Sequence, residues 1–187
     1  RGLGDVYKRQ LQRKSMLKTL FNLFRKTDKN SLETLQQRAE QGDVEAMYQL
    51  GRFYHIGEVV EADYDKAMTL YHRANALGYP LAANNIGALY DDMGEPEKSV
   101  EWFEQGIRQD DKRATINLGR FYLLGIGVGQ DTFKGMQMLE KYDDDGFVLY
   151  LLAQVYDGVI GYGVPINYPK ALEYYLSLIH ISEPTRP

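Results

Sequence analysis

Leu50-Gly51-Arg52-Phe53-Tyr54 decides the fold, because the stretch returns three times, as Ile86-Gly87-Ala88-Leu89-Tyr90, Leu118-Gly119-Arg120-Phe121-Tyr122 and Leu152-Ala153-Gln154-Val155-Tyr156. The small residue in second place recurs at intervals of 36, 32 and 34 residues, and the tyrosine keeps its offset. Glycine within a helix costs up to about 1 kcal/mol of propensity, so it belongs where a neighbouring helix must come close. The tyrosine fills the space beside it. A period of this length implies stacked units of two antiparallel helices.

The second helix of each unit is expected to supply the opposite wall of the core. Ala67, Leu70, Tyr71 and Ala74 do so first, then Val100, Trp102 and Phe103, then Met136, Met138, Leu139 and Tyr142, and last Ala171, Leu172 and Tyr175. Their helical spacing makes them packing residues rather than the lining of a cofactor box. Asn30 or Ser31 can cap a preceding lone second helix that carries Leu32, Leu35 and Ala39 and ends at Gly42.

The loops between helices depart from the tetratricopeptide form. Three of them are extended and begin with Gly57, Gly125 and Gly158, and two run through Gly-x-Gly-Val, at Gly125 to Val128 and Gly161 to Val164. With Ala74-Asn75-Ala76-Leu77-Gly78 closing one repeat and Asp65-Lys66-Ala67 opening a helix, residues 31–175 resemble the Sel-one-like repeat (SLR) family. The second repeat, with its short Gly94-Glu95-Pro96 turn, is closer to a plain tetratricopeptide unit. The resemblance implies an all-α, right-handed α-solenoid of antiparallel helix pairs, a bacterial source, and a non-catalytic scaffold that grips a protein or peptide.

The two ends stand apart from this pattern. Codons exist for Arg1 to Gln10 whose reverse complement translates as Leu176 to Thr185, and DNA so written resembles a transposase sequencing adapter. Residues 1–10 and 176–187 are therefore expected to be foreign and are set aside. Residues 11–30 form a basic arm, and residues 31–175 hold a half repeat and about four units, the last truncated.

In the arm, Leu17, Leu20, Phe21 and Phe24 keep the spacing of a helix stripe beside Lys18, Arg25 and Lys26. Such a helix suits an anionic membrane surface, but covering the open end of a repeat stack is the favoured reading. It lacks the unbroken apolar region of a secretory signal, so a cytoplasmic address is expected.

Six Lys and Arg in residues 11–30 face Asp28 alone, so the chain's net charge of −4 places an acidic body behind a basic arm. That argues against nucleic acid, which wants a basic stripe, and favours a cationic partner. At 44% hydrophobic and 26% charged, with no apolar run of membrane-spanning length, the composition is that of a globular domain.

Motifs for chemistry do not assemble. Gly125-Ile126-Gly127-Val128-Gly129 follows a helix rather than a strand and lacks the Gly-Lys-Ser/Thr ending of a phosphate loop, so it reads as a helix cap and loop. Asp91-Asp92, Asp110-Asp111 and Asp143-Asp144-Asp145 lack the alternating positions of a calcium loop and read as caps and solvated turns. Zero cysteines remove thiolate metal sites and a cysteine nucleophile. They also set the chain apart from cysteine-rich relatives described as hydrolysing β-lactams. No catalytic, cofactor or metal residue is nominated.

What remains is the concave face, lined by first-helix positions that point away from the second helices. By register these are Tyr48, Arg52 and His55; Asn84, Ala88 and Asp91; Ile116, Arg120 and Leu123; and Tyr150, Gln154 and Asp157. Tyr48, Arg52, Asn84, Asp91, Arg120, Tyr150 and Gln154 are the expected partner contacts, since such residues combine contact area with hydrogen bonding.

Overall fold

The computed structural model describes residues 32–57, 60–161 and 163–182. The arm expected at 11–30, the cap expected at Asn30 or Ser31 and residues 1–10 lie outside the described residues. The boundary expected at 175/176 falls within the last helix. Among the described residues all regular structure is helical, and no helix is long and apolar enough to cross a membrane. The chain divides into two compact units, Arg1–Tyr79 and Pro80–Pro187.

The first unit contains α1 (residues 32–40), α2 (Val44–Ile56) and α3 (Tyr64–Ala76). Gly42, at φ 93°, turns the chain between α1 and α2. The Asp43 carboxylate then accepts the Ala46 N–H and pairs with Arg38 at 2.6 Å, so one side chain starts α2 and ties it to α1. Gly57, at φ 76°, ends α2 by donating its N–H to Phe53 O, and Asp63 caps α3. Ala46, Met47, Ala67, Tyr71 and Ala74 are buried between α2 and α3. A Cβ on Gly51 would fall 2.8 Å from the Tyr71 ring, which is the close approach the glycine permits.

In the second unit α4 (Ala82–Asp92) packs on α5 (Pro96–Arg108), α6 (Lys112–Leu124) on α7 (Thr132–Leu139), and α8 (Gly146–Tyr156) on α9 (Tyr168–Ser182). Successive pairs touch through α5 against α6 and α7 against α8, and a 3-10 turn, Glu140–Tyr142, follows α7. Gly87 faces Phe103, whose Cε1 would lie 2.6 Å from an added Cβ, and Gly119 faces Leu139 at 3.0 Å. One core cluster joins Phe103, Ala114, Leu118 and Phe121. The other joins Ile116, Leu123, Met136, Leu139, Val148, Leu151, Leu152 and Val155.

Leu172 departs from the expected wall, being 57% exposed. Val100 holds the same place on α5, one residue after the small residue, and packs against the cluster that includes Ala114 and Leu118 of α6. Among the described residues no first helix follows α9 to cover Leu172 in the same way. Gly125, at φ 69°, caps α6 through its N–H to Phe121 O, so the glycine-rich stretch serves as the helix cap and loop expected of it. Asp111 and Asp145 likewise cap α6 and α8.

Candidate functional site

The seven expected contacts fall into three groups. Tyr48 and Asn84 are buried, at 2% and 4% exposure. Tyr48 lies under two rings of its own unit, Tyr79 at 4.7 Å and Tyr71 at 6.0 Å between centroids. Asn84 accepts from Asn117 Nδ2 at 2.9 Å and donates to Asn85 Oδ1 at 3.2 Å. Both side chains are therefore enclosed within their own units. Ile116 and Leu123, on the same expected face, are core residues.

Asp91 and Arg120 form the second group. Arg120 Nη2 donates to Asp91 Oδ2 at 2.8 Å, joining α6 to α4 with both side chains about a quarter exposed. Arg52, Tyr150 and Gln154 make up the third. Arg52 is exposed and reaches Gln49 Oε1 at 3.4 Å. Tyr150, 42% exposed, accepts from Gln154 Nε2 at 3.1 Å. The structure thus brings together Asp91 with Arg120 and Tyr150 with Gln154, each pair within the second unit.

A regular feature of the helix pairs lies outside those seven residues. The tyrosine that ends each repeated stretch faces a lysine near the start of the following helix: Lys66 Nζ lies 5.1 Å from the Tyr54 ring centroid, Lys98 5.2 Å from Tyr90, Lys134 4.0 Å from Tyr122 and Lys170 4.2 Å from Tyr156. Lys134 and Lys170 also donate to the phenol oxygens, each at 2.6 Å. The Tyr156 hydroxyl holds the Lys170 ammonium pKa above its ordinary value, against the effect of burial. Each of these lysines directly precedes the small residue of its helix, Ala67, Ser99, Gly135 or Ala171, and that is the signal by which sequence alone could have found them.

Two clefts flank these pairs. One of about 520 Å³ in the first unit has Ala39, Leu50, Tyr54 and Leu70 among its lining residues, with Glu40 and Arg73. The other, about 730 Å³, is lined in the second unit by Phe133, Lys134, Glu140 and Tyr156 among others. Among the described residues, no three acidic or histidine side chains gather as a metal site would require. His55 Nδ1 lies 3.3 Å from the Tyr71 hydroxyl, and burial lowers the His72 pKa from 6.5.

Helix pairs that spend their apolar residues on one another and carry polar and aromatic side chains along their first helices define an all-α solenoid, a fold class of interaction scaffolds. The Sel1 repeat family model matches residues 44–79, 80–111, 112–141 and 148–178. The chain belongs to the Sel1-repeat family.

Chitin synthase regulatory factor 4 of Schizosaccharomyces pombe is 28% identical over 166 residues, 78% of this chain and 26% of the relative. The ERAD-associated E3 ubiquitin-protein ligase component HRD3B of Arabidopsis thaliana is 34% identical over 102 residues, 53% of this chain and 16% of the relative. The chain thus spans about a quarter or less of the curated relatives it matches. Among solved structures, a protective antigen of uropathogenic Escherichia coli with an SLR fold superposes with a TM-score of 0.66 at 25% identity, over 81% of this chain and 33% of that one.

Proposed function

We propose that this chain is a non-catalytic protein-interaction scaffold that holds a peptide or protein segment on its first helices. In the second unit Asp91, Arg120, Tyr150 and Gln154 make the contact, and in the first unit Arg52 does. The observation that carries this reading is the division of labour within α8: Leu149, Leu152 and Val155 are buried while Tyr150 stays 42% exposed and is positioned by Gln154. A tyrosine offers rigid amphipathic area at low entropic cost, which is the property of an interface anchor. The names of the curated relatives, a regulatory factor and a ligase component, support a role in binding rather than turnover.

The partner is cationic in this reading, supported by the acidic balance of the residues behind the basic arm. A bacterial and cytoplasmic setting is its finer part; the bacterial solved structure supports the first, and cell fractionation tests the second.

The test is selection of displayed 12-residue peptides on the intact chain, followed by affinity measurement on Arg52→Ala/Arg120→Ala and on Tyr150→Ala. Selected peptides that bind each variant at least about tenfold more weakly, the loss expected on removing an interface anchor, support the residue assignment, and an excess of Lys and Arg among the selected peptides supports the cationic partner. Unchanged affinities with unchanged melting curves sink the residue assignment, and failure to select any peptide sinks the scaffold reading for peptides.

A further inference from the structure

The loop from α8 to α9 carries more apolar residues than its core uses. Tyr156 O accepts the Asn167 N–H at 2.8 Å, as Tyr54 O accepts from Asp63 at 2.8 Å and Tyr122 O from Asp131 at 2.9 Å, so three loops are anchored at equivalent points. Ten residues lie between the anchors of the α8–α9 loop, against eight in each of the other two. Ile160 and Val164 pack on the core cluster around Leu152, just as Ile126 and Val128 of the α6–α7 loop pack on the cluster around Phe121. Val159 and Ile166 are surplus to that core and lie 61% and 57% exposed.

These residues meet a third. A Cβ on Gly158, next to Val159, would lie 2.9 Å from Ile166 Cγ1. The loop then crosses the start of α7, with Gly161 against Thr132 and Gly163 beside the Phe133 ring, 3.8 Å from an added Cβ. Phe133 is 66% exposed, more than any other large hydrophobic residue described. It directly precedes Lys134, at the place where α3, α5 and α9 carry Asp65, Glu97 and Pro169, so the repeat itself does not call for an aromatic ring there.

Phe133 also forms a wall of the cleft of about 730 Å³, with Met136 and Tyr156 as further apolar lining. Exposed apolar groups gathered beside a cleft mark a docking site rather than scattered surface. The charge of the lining selects the occupant. It holds two carboxylates, Asp131 and Glu140, against one ammonium, and that ammonium, Lys134 Nζ, is turned to the Tyr122 hydroxyl at 2.6 Å. Neither carboxylate forms an ion pair with a described residue. Such a rim suits a basic segment and opposes an anionic lipid surface.

We propose that Phe133, Val159 and Ile166, with the cleft beside them, are a second docking surface, which takes a short segment of a partner protein bearing one large apolar side chain next to Lys or Arg. The apolar side chain seats against Phe133 over Met136 and Tyr156, and the basic one meets Glu140 and Asp131. This surface is built from a second helix and a loop. It uses none of the first-helix contacts proposed above, so either can fail without the other.

The experiment selects displayed peptides on the intact chain with counter-selection on Phe133→Ser. The expected yield is a class with Phe, Leu or Trp adjacent to Lys or Arg, which binds Phe133→Ser at least about tenfold more weakly, the loss of an interface anchor. The same class should bind Glu140→Gln about two- to fivefold more weakly, the size of an exposed ion pair, and Arg52→Ala/Arg120→Ala with wild-type affinity. Phe133 is exposed, so Phe133→Ser should melt with the wild type. If it does not, Val159→Ser carries the test with the same expected loss. An absence of peptides sensitive to either variant, or a sensitive class rich in Asp and Glu, overturns the surface and leaves the first-helix scaffold as it stands. Co-sedimentation with phosphatidylserine vesicles that Phe133→Ser abolishes overturns it in favour of a lipid surface, and a dimer in sedimentation velocity that Phe133→Ser dissolves does so in favour of a second copy.

Discussion

Lys134 Nζ sits 4.0 Å from the centre of the Tyr122 ring and donates to its hydroxyl at 2.6 Å, so a lysine at the start of α7 closes over the tyrosine that ends the repeated stretch of α6. The contact combines a cation held over an aromatic face with a hydrogen bond at the ring's edge, and it clips the two helices of a pair at their loop end. Lys170 makes the same closure over Tyr156, and Lys66 and Lys98 lie over the rings of Tyr54 and Tyr90 while pairing with Asp63 and Glu95.

Replacing Lys134 by methionine keeps the apolar stem and removes the charge. The melting temperature should drop by about 1–4 °C, the range for losing an exposed cation–π contact in a chain of this size. Tyr122→Phe should lose less, because the ring remains under the ammonium. Thermal melts of both variants check this, and a Lys134→Met melt equal to wild type would show the contact to be idle.

The glycines inside the first helices should differ in their tolerance of a methyl group. On Gly87 a Cβ would meet Phe103 at 2.6 Å and Ser99 O at 3.1 Å, whereas on Gly119 its nearest neighbour is the branched end of Leu139 at 3.0 Å. Gly87→Ala should destabilise by about 1–3 kcal/mol through overpacking, even after the gain of up to about 1 kcal/mol in helix propensity. Gly119→Ala should cost less, since Leu139 can change rotamer. Denaturant midpoints settle the order, and the reverse ranking would contradict it.

In the glycine-rich loop two neighbours make a controlled pair. Gly127, at φ 64°, would place a Cβ 2.5 Å from Pro96 O, while Gly129 has open space around it. Gly127→Ala should lower the melting temperature clearly, for reasons of both backbone conformation and contact. Gly129→Ala should leave it within about 2 °C, as open surface sites do. Equal effects at the two positions would refute this account of the loop.

Acid should soften the protein in two windows. Burial holds the His72 imidazole below its ordinary 6.5, so the unfolded chain binds that proton more readily and stability declines as the pH falls below 6.5. The Ala46 N–H and Arg38 hold Asp43 below 3.8, and Lys66 does the same for Asp63 through its ammonium and its N–H. Their contribution is complete above 3.8 and is lost as the pH drops through the lower folded values. Melts recorded between pH 7 and pH 3 should show both declines, and His72→Gln should abolish the upper one.

The Asp91–Arg120 link is open to a double-mutant cycle. Its two side chains are each about a quarter exposed, so a coupling of roughly 0.5–1 kcal/mol is expected between Asp91→Ala and Arg120→Ala. Additive effects would mean that the pair is geometrically close but energetically silent.

The four first helices were legible because Leu50 to Tyr54 and its echoes combine a small residue with a tyrosine at fixed offset, and local packing imposes that offset. The lysines over the tyrosines were hidden by the loops: Lys66 follows Tyr54 by 12 residues, Lys98 follows Tyr90 by 8, and Lys170 follows Tyr156 by 14. Measured from the start of the second helix instead, the spacing is constant. Exposure was the harder property to read. Periodicity places Tyr48 and Tyr150 at one register, yet Tyr79, beyond the end of α3, covers the first, while the second stays open. The Asn117–Asn84 hydrogen bond escaped for a related reason, since it needs a turn of α4 to meet a turn of α6, and no single-helix pattern records such a meeting.

Gly51 is matched to the ring of Tyr71, Gly87 to Phe103 and Gly119 to the branched Leu139. Each pair of helices is thus keyed to itself. Gene rearrangement that moves whole pairs preserves each of these matches, whereas a crossover between the two helices of a repeat would set an aromatic ring against a backbone hollowed for leucine. The natural unit of inheritance in such a chain is the pair, and recombination junctions that survive selection should fall between pairs, near Gly78, Asp110 and Asp143, rather than in the loops within them.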